Sequence, residues 1–421
     1  MVSEVNWAGN YEYRAARLHR PSTLEQVREI VAAAPRVRVL GSRHSFSDIA
    51  DSAELLTLEE LPADVVVDHP ARTVSFSAGL RYGELAEALG AEGVALANLA
   101  SLPHISVAGA IATATHGSGE GNGNLATAVA ALELVTSSGD TLAVTRNDPD
   151  FNGLVVSLGA LGAVTRLTLD VEPGYEVRQR VFEGLSWEAL FEHFDEILTA
   201  GYSVSVFTRW EEATDQVWVK SRATEAPEPV FDDLFGSKPA TVDRHPILGD
   251  DPVNCSPQLG VPGPWSDRLP HFRMGFTPSD GEELQSEYLV PRSCAVAAIE
   301  AVRALAATVR PLLLVSEIRA VAADGLWMSP QYGRETVAIH FTWKRDPVAV
   351  ERVLVDVEAA LASFEARPHW GKVFVAGADV IAPLYERLPD FTRLRERLDP
   401  RGAFRNAWLD RHVLGRADHG A

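Results

Sequence analysis

Two short patterns late in the chain carry groups able to do acid–base and hydrogen-bonding chemistry. Glu317 and Arg319 stand two apart in LLLVSEIRAVA, and His340 and Thr342 stand two apart in TVAIHFTWK. Residues two apart on an extended strand point to the same face. Each segment therefore presents a polar pair on a strand otherwise rich in Leu, Val, Ile and Phe. One such pair fits a surface face with charges paired across strands. Two of them, with Lys372 beginning a third apolar run in GKVFVAG, favour a pocket lined by hydrogen-bonding groups. That lining suits a neutral, hydroxyl-rich ligand better than an anion.

Two earlier segments point to a second ligand. In VRVLGSRHSFSD (Val37–Asp48) a β-type run stops at Gly41, and a polar turn follows around His44. Read alone, His44 is a turn histidine bonded to nearby backbone. Ala100–Ala126, ASLPHISVAGAIATATHGSGEGNGNLA, consists largely of small residues and holds Gly109, Gly117, Gly119, Gly121 and Gly123. Small residues let backbone approach a ligand closely, and successive N–H groups in such turns bind phosphate. The composition predicts a nucleotide-phosphate cradle. The Gly-x-Gly-x-x-Gly spacing is absent, because its three registers place Asn122, Asn124 or Ala126 at the third glycine. No Gly-x-x-x-x-Gly-Lys-[Ser/Thr] occurs either, so a dinucleotide is not expected to be held in the Rossmann manner. His-Glu-x-x-His, paired Cys-x-x-Cys and Gly-x-Ser-x-Gly are also missing, which removes the usual support for zinc and serine hydrolases.

The elements that must position these groups follow from periodicity. RPSTLEQVREIVAAAP predicts a helix capped by Ser22, with Glu25 completing a capping box, Val27, Ile30 and Val31 as the apolar stripe, and Pro35 as the stop. Strands are expected at VRVLG, Asp64–Asp68, Thr73–Ser77 and Gly162–Pro173, a helix over Tyr82–Leu89, and a hairpin in ALELVTSSGDTLAVT. Ala223–Pro270 is rich in Pro, Asp and Gly and predicts long loops. After it, the strand-like runs LLLVSEIRAVA, TVAIHFTWK and GKVFVAG alternate with helical segments Ala295–Thr308 and Pro347–Phe364. The pattern is α+β, with a second sheet covered by helices.

A chain of 421 residues is too long for one ordinary core, and 46% apolar with 23% charged residues is the balance of a globular protein. The formal charge of −20, spread along the chain, disfavours nucleic acid and anionic lipid as partners. No run approaches the ~18 apolar residues of a membrane helix. The N-terminus shows no signal-peptide pattern, and Cys255 and Cys294 stand in no metal-type spacing; a reducing cytoplasm fits.

VLGSRHSFSDIA, ASLPHISVAGAIATATHGSG, GALGAVTRLTL, SEIRAV, AIHFTW, RPHWGK and FRNAWL together resemble, in that order, the alditol and xylitol oxidase group. That group belongs to the flavoenzymes with the vanillyl-alcohol oxidase fold, and aldonolactone oxidases are cousins. The likeness runs from Asn6 almost to the C-terminus and weakens across Ala223–Pro246. It implies an FAD-binding domain over residues 1–175, a substrate or cap domain over 176–380, and a segment over 381–421 that returns to the first domain. It implies FAD joined covalently to His44 through the 8α-methyl. Leu40, Gly41, Ser42, Arg43, Ser45, Ser101, Ser106, Gly109, Ala110, Ile111, Thr113, His116, Gly117 and Ser118 would bind the cofactor, with Gly162 and Val164 at the adenine end. Neither cysteine falls in a flavin motif, so no second covalent link is expected.

The substrate positions implied are Ser101, Glu317, Arg319, His340, Thr342 and Lys372. The reaction implied is oxidation of the terminal primary hydroxyl of an alditol such as xylitol or sorbitol, with dioxygen as acceptor and hydrogen peroxide as product. His340 would take the hydroxyl proton, oriented by Glu317. Arg319 and Lys372 would stabilise negative charge on the flavin, and Ser101, Thr342 and Glu317 would bond the remaining hydroxyls. Ala100 would set oxygen's access to the ring. The family implies a monomer. The rival readings are an aldonolactone oxidase or dehydrogenase of the same fold, and a flavin- or polyol-binding protein without turnover.

Overall fold

The computed structural model describes residues 4–223, 232–274 and 283–415. Its first half holds a two-stranded pairing of Val94–Ala95 with Glu172–Pro173 and two larger sheets. A parallel one runs Arg17–His19, Glu54–Leu56, Val37–Val39. An antiparallel one runs Val66–Asp68, Thr73–Ser77, Ala163–Asp170, Val129–Val135, Thr141–Thr145. Ala163–Asp170 shows why the second forms: its residues alternate strictly between buried and half-buried, the period of a strand with one face on a core. The hairpin Val129–Val135/Thr141–Thr145 closes through a bond from Thr136 N–H to the Asp140 carbonyl at 2.9 Å, with Gly139 at φ +86°.

The change of sheet comes between Pro173 and Glu176. A large antiparallel sheet then takes the order Lys238–Pro239, Glu176–Glu183, Gln216–Arg222, Ser203–Thr208, Leu313–Val321, Thr336–Lys344, Glu283–Pro291, Arg367–Pro368. Helices Ala295–Ala304 and Pro347–Leu361 cover one face with Ile299, Val302, Val350, Leu354 and Val357. Ile339, Phe341 and Trp343 are fully buried, which stabilises the sheet by about 1.5–3 kcal/mol per side chain of that kind. The alternate residues His340 and Thr342 are buried too, because the opposite face encloses a cavity. Cross-strand register aligns Glu287 with His340, His340 with Glu317 and Glu317 with Phe207.

The C-terminal segment packs back on the first half. Helix Leu388–Leu398 lies against Phe151–Leu154. The buried Arg38 guanidinium donates to the Ile49, Leu158, Gly159 and Phe404 carbonyls at 2.6–3.0 Å. No helix among the described residues is long and apolar enough to cross a membrane.

Several elements differ from expectation. The first helix is Leu24–Ala33, capped by Thr23, whose Oγ1 accepts from Gln26 N–H at 3.3 Å; Ser22 N–H donates to the Gln26 side chain at 2.9 Å. The cap pair is therefore Thr23 and Gln26, one residue later than Ser22 and Glu25. The strand expected over Asp64–Asp68 begins at Val66, because Asp64 turns to φ +46°. The helix expected over Ala295–Thr308 divides at Leu305, and the one over Pro347–Phe364 tightens to 3₁₀ geometry after Leu361. GKVFVAG is not a strand. His369 and Val373 N–H donate to the Glu287 and Gln285 carbonyls at 2.9 and 2.8 Å, and between them Lys372 N–H closes a turn onto His369. Within the loop-rich Ala223–Pro270 stretch, residues 224–231 lie outside the described residues.

Candidate active site

A cavity of about 860 Å³ is lined by the His44 turn, the small-residue helix Val107–Ala112 and the polar face of the large sheet. Its cofactor-facing wall is stitched from two segments: Ser106 N–H donates to Ser42 Oγ at 2.8 Å, and Ser42 N–H to Ser106 Oγ at 3.4 Å. Gly41 suits this close approach, because a Cβ would meet Ser106 Oγ at 2.4 Å and Ser106 Cβ at 3.3 Å and displace the serine that bonds Ser42. The result is a side-chain-free backbone rim of the kind that admits phosphate.

The His44 ring stacks on Trp7 at 5.4 Å and 17°. Its Nδ1 is buried and lacks a hydrogen-bond partner. Such an orphan costs about 1–3 kcal/mol, a cost that a bound ligand engaging this nitrogen would offset. Burial pushes the His44 pKa down to about 4, so the imidazole is neutral, the form in which a ring nitrogen is nucleophilic. Arg43, at φ +63°, pairs with Glu4 at 3.0 Å. Its carbonyl accepts from Trp7 N–H at 2.8 Å, so Arg43 fastens the N-terminal segment that carries the stacking ring. Phe46 N–H donates to the Gly371 carbonyl at 2.9 Å, tying the His44 turn to the turn of Lys372. The residues present fit FAD.

On the sheet side the organising group is Glu287, 1% exposed. Its Oε1 lies 2.9 Å from Arg319 Nη2 and 3.2 Å from His116 Nε2, and its Oε2 lies 2.8 Å from Lys372 Nζ. Burial alone would raise its pKa, but Lys372, His116 and Arg319 outweigh burial and hold the carboxyl well below its usual range. Lys372 Nζ also donates to His340 Nδ1 at 2.7 Å, which leaves Nε2–H to donate to Thr342 Oγ1 at 3.1 Å. Burial and the Lys372 charge push the His340 pKa down to about 4. Glu317 Oε1 accepts from His271 Nε2 at 2.8 Å and lies 3.5 Å from Arg319 Nε; Arg319 Nη1 donates to Ser101 Oγ at 3.4 Å. Burial would raise the Glu317 carboxyl, but Arg319 and His271 outweigh it and keep it ionised.

His116, Glu287 and His369 offer ligand atoms within 4.8 Å of one another, a spacing a metal could use. Arg319 and Lys372 already share the only carboxylate of that set, so a further cation would compete with two resident ones.

All six expected substrate positions, Ser101, Glu317, Arg319, His340, Thr342 and Lys372, line this one cavity. So do Leu40–Ser45, Ser106, Gly109, Ala110, Thr113 and His116. Gly162 and Val164 line a smaller space that shares Gly41, Ser42 and Gly109 with it. Three expected cofactor residues do not line it. Ile111 packs in the apolar core, a Cβ on Gly117 would meet the Leu99 carbonyl at 2.4 Å, and Ser118 Oγ bonds Ser203 and Ser205 at 3.0 and 3.3 Å. The orientation expected for His340 is also corrected: Lys372 and Thr342 hold it, while Glu317 is held by His271. Glu287 was missed, although Gln285-x-Glu287 repeats the two-apart spacing of the other strands. His271 reaches the site from a loop and leaves no periodic signal.

A family model described as FAD binding domain matches residues 15–145, and one described as D-arabinono-1,4-lactone oxidase matches residues 282–412. The chain is 49% identical over 410 residues to the alditol oxidase of Streptomyces sp. (strain IKD472 / FERM P-14339), covering 96% of this chain and 97% of that one. It is 28% identical over 429 residues to the L-gulono-1,4-lactone dehydrogenase of Mycobacterium tuberculosis, covering 97% and 98%. Among solved structures, cholesterol oxidase from B. sterolicum superposes with a TM-score of 0.77 at 15% identity, covering 97% and 96%. That last likeness is one of fold.

Proposed function

This chain belongs to the alditol oxidase group of the FAD-linked oxidases, and on that premise we propose that it oxidises the terminal primary hydroxyl of an alditol such as xylitol or sorbitol to the aldehyde. The observation that carries the reading is a single cavity joining a buried, unpartnered His44 nitrogen to a wall of hydroxyl-bonding groups. FAD bound there would supply the hydride acceptor, with dioxygen as the final acceptor and hydrogen peroxide as the product. The His44 turn and the Ser106–Thr113 segment would hold it, with His44 as its covalent tether.

Ser101, Thr342 and Glu317 bond the substrate hydroxyls and fix which carbon is presented. His340 takes the hydroxyl proton. Nδ1 is its basic nitrogen in this arrangement, and Lys372 already donates to it. Proton acceptance by His340 therefore releases a Lys372 donor to the negative charge that develops beside it, where Arg319 also acts. The two cysteines are unpaired, which fits work in a reducing cytoplasm, and we assign the enzyme a monomeric state.

The match to the D-arabinono-1,4-lactone oxidase model favours a second reading, oxidation or dehydrogenation of an aldonolactone. Peroxide production decides: turnover with xylitol well above that with gulonolactone is expected, and the reverse order overturns the alditol reading. A yellow protein that no polyol bleaches under anaerobic conditions would instead be a binding protein. The covalent tether has its own test. Acid precipitation should leave flavin in the pellet for the natural chain and release it for His44→Ala; flavin wholly in the natural chain's supernatant rules out the link.

A further inference from the structure

One buried cation takes no part in the chemistry above. Lys220, on strand Gln216–Arg222, is 1% exposed. Its Nζ lies 2.5 Å from the Leu269 carbonyl, 3.2 Å from the Pro270 carbonyl and 3.2 Å from His271 Nδ1. These three acceptors match the three protons of an ammonium group. Among the described residues no carboxylate lies within ion-pair distance of it. A charge buried without a paired carboxylate is costly, so what it holds in place matters.

Burial lowers the Lys220 pKa to about 7, so the direction of its bond to His271 follows from the far side of the ring. There the ionised Glu317 carboxylate accepts and cannot donate. His271 Nδ1 must therefore be the acceptor, and the ring proton sits on Nε2, 2.8 Å from Glu317 Oε1. Burial and the Lys220 charge push the His271 pKa down to about 4, so the ring is neutral and its tautomer is a real choice. The other tautomer would set an imidazole lone pair against an ionised carboxylate. The same short turn reaches a second pocket residue, since His271 and Phe272 N–H approach the Ser101 carbonyl at 3.2 and 3.4 Å. Lys220 thus fastens a segment that touches two substrate-binding positions from behind.

We propose that Lys220 is a positioning residue that acts through His271. By fixing the tautomer that donates to Glu317 Oε1, it turns the carboxylate so that Oε2 is left to accept a substrate hydroxyl, and it anchors Ser101 alongside. Among the described residues, both contacts that Glu317 makes with neighbouring side chains fall on Oε1. The inference rests on the alditol reading and adds to it a determinant of polyol affinity two strands away from Glu317.

The test is a double-mutant cycle read as KM and kcat for xylitol. Lys220→Met keeps the length of the side chain and removes the donors; it is expected to raise KM roughly tenfold or more, the loss typical of a hydrogen bond to a charged group, with a much smaller change in kcat. His271→Leu should do the same. The pair together should be no worse than His271→Leu alone, because the two act on one path. His271→Gln, which keeps an N–H donor, should recover much of the affinity. A Lys220→Met enzyme with natural KM, or additive losses in the pair, overturns the proposal while leaving the alditol reading intact. If Lys220→Met does not fold, the His271 variants decide, and a natural KM in His271→Leu overturns the proposal. A natural enzyme inactive on every polyol overturns both.

Discussion

Replacing Lys372 by alanine is expected to lower turnover on xylitol by more than about 100-fold, the scale seen when one preorganised donor to developing charge is removed. Three consequences of the geometry add together. Lys372 Nζ is 2.8 Å from Glu287 Oε2 and 2.7 Å from His340 Nδ1. Without it, Glu287 Oε2 loses its ammonium partner, and Arg319 and His116 are left to hold the carboxylate through Oε1. The His340 ring loses the donor that sets its tautomer, and the pocket loses the charge that can follow the departing proton. Because the group acts on the reacting centre, kcat and kcat/KM should fall together. Arginine should not restore the rate, since a planar fork cannot occupy the point position of an ammonium between a carboxylate and an imidazole. Anaerobic single-turnover bleaching measures the effect directly, and near-normal rates in the alanine variant would remove Lys372 from the mechanism.

The largest expected loss of stability comes from a residue that need not touch substrate. Glu287→Gln preserves volume but removes the charge shared by the buried Arg319 and the half-buried Lys372. Breaking a buried pair by deleting one partner costs about 3–5 kcal/mol, because the other charge stays behind uncompensated. Here two cations remain, so the upper part of that range is expected. Chemical denaturation of the holoenzyme should show an earlier midpoint with little change in slope. A variant as stable as the natural chain would mean that the pocket relieves the two cations without Glu287.

The contrast between these two residues explains what could be read in the amino-acid order. Glu317, Arg319, His340 and Thr342 stand out because each interrupts an apolar strand, and the strands form as their alternation requires. Glu287 lies in ELQSEYLVP, where neighbouring polar residues make the same spacing look like a solvated edge. Its importance comes from pairing with His340, a long-range fact that local periodicity cannot carry. Lys372 was placed by its type but not by its element, because VFV promises a strand while the bond from Lys372 N–H back to His369 makes a turn. Ile111, Gly117 and Ser118 belong to the small-residue motif by sequence, yet their contacts are with the core, the Leu99 carbonyl and the second sheet. Lys220 and His271 are brought together across a separation of 51 positions, and no pattern in the sequence announces them.

The aligned polar groups on the large sheet have a consequence for how the chain finds its fold. Glu287, His340 and Glu317 sit side by side on three neighbouring strands. The reverse face of those strands buries Tyr288, Ile339 and Ile318 and is covered by helices. Sliding any one strand by a single residue would drive a carboxylate or an imidazole into that covered layer and swing an isoleucine or a tyrosine into the cavity. The charges would then lie unpaired in an apolar setting, at a cost of several kcal/mol each. The groups that perform the chemistry therefore also proofread strand alignment, and a misregistered sheet is penalised before any substrate arrives.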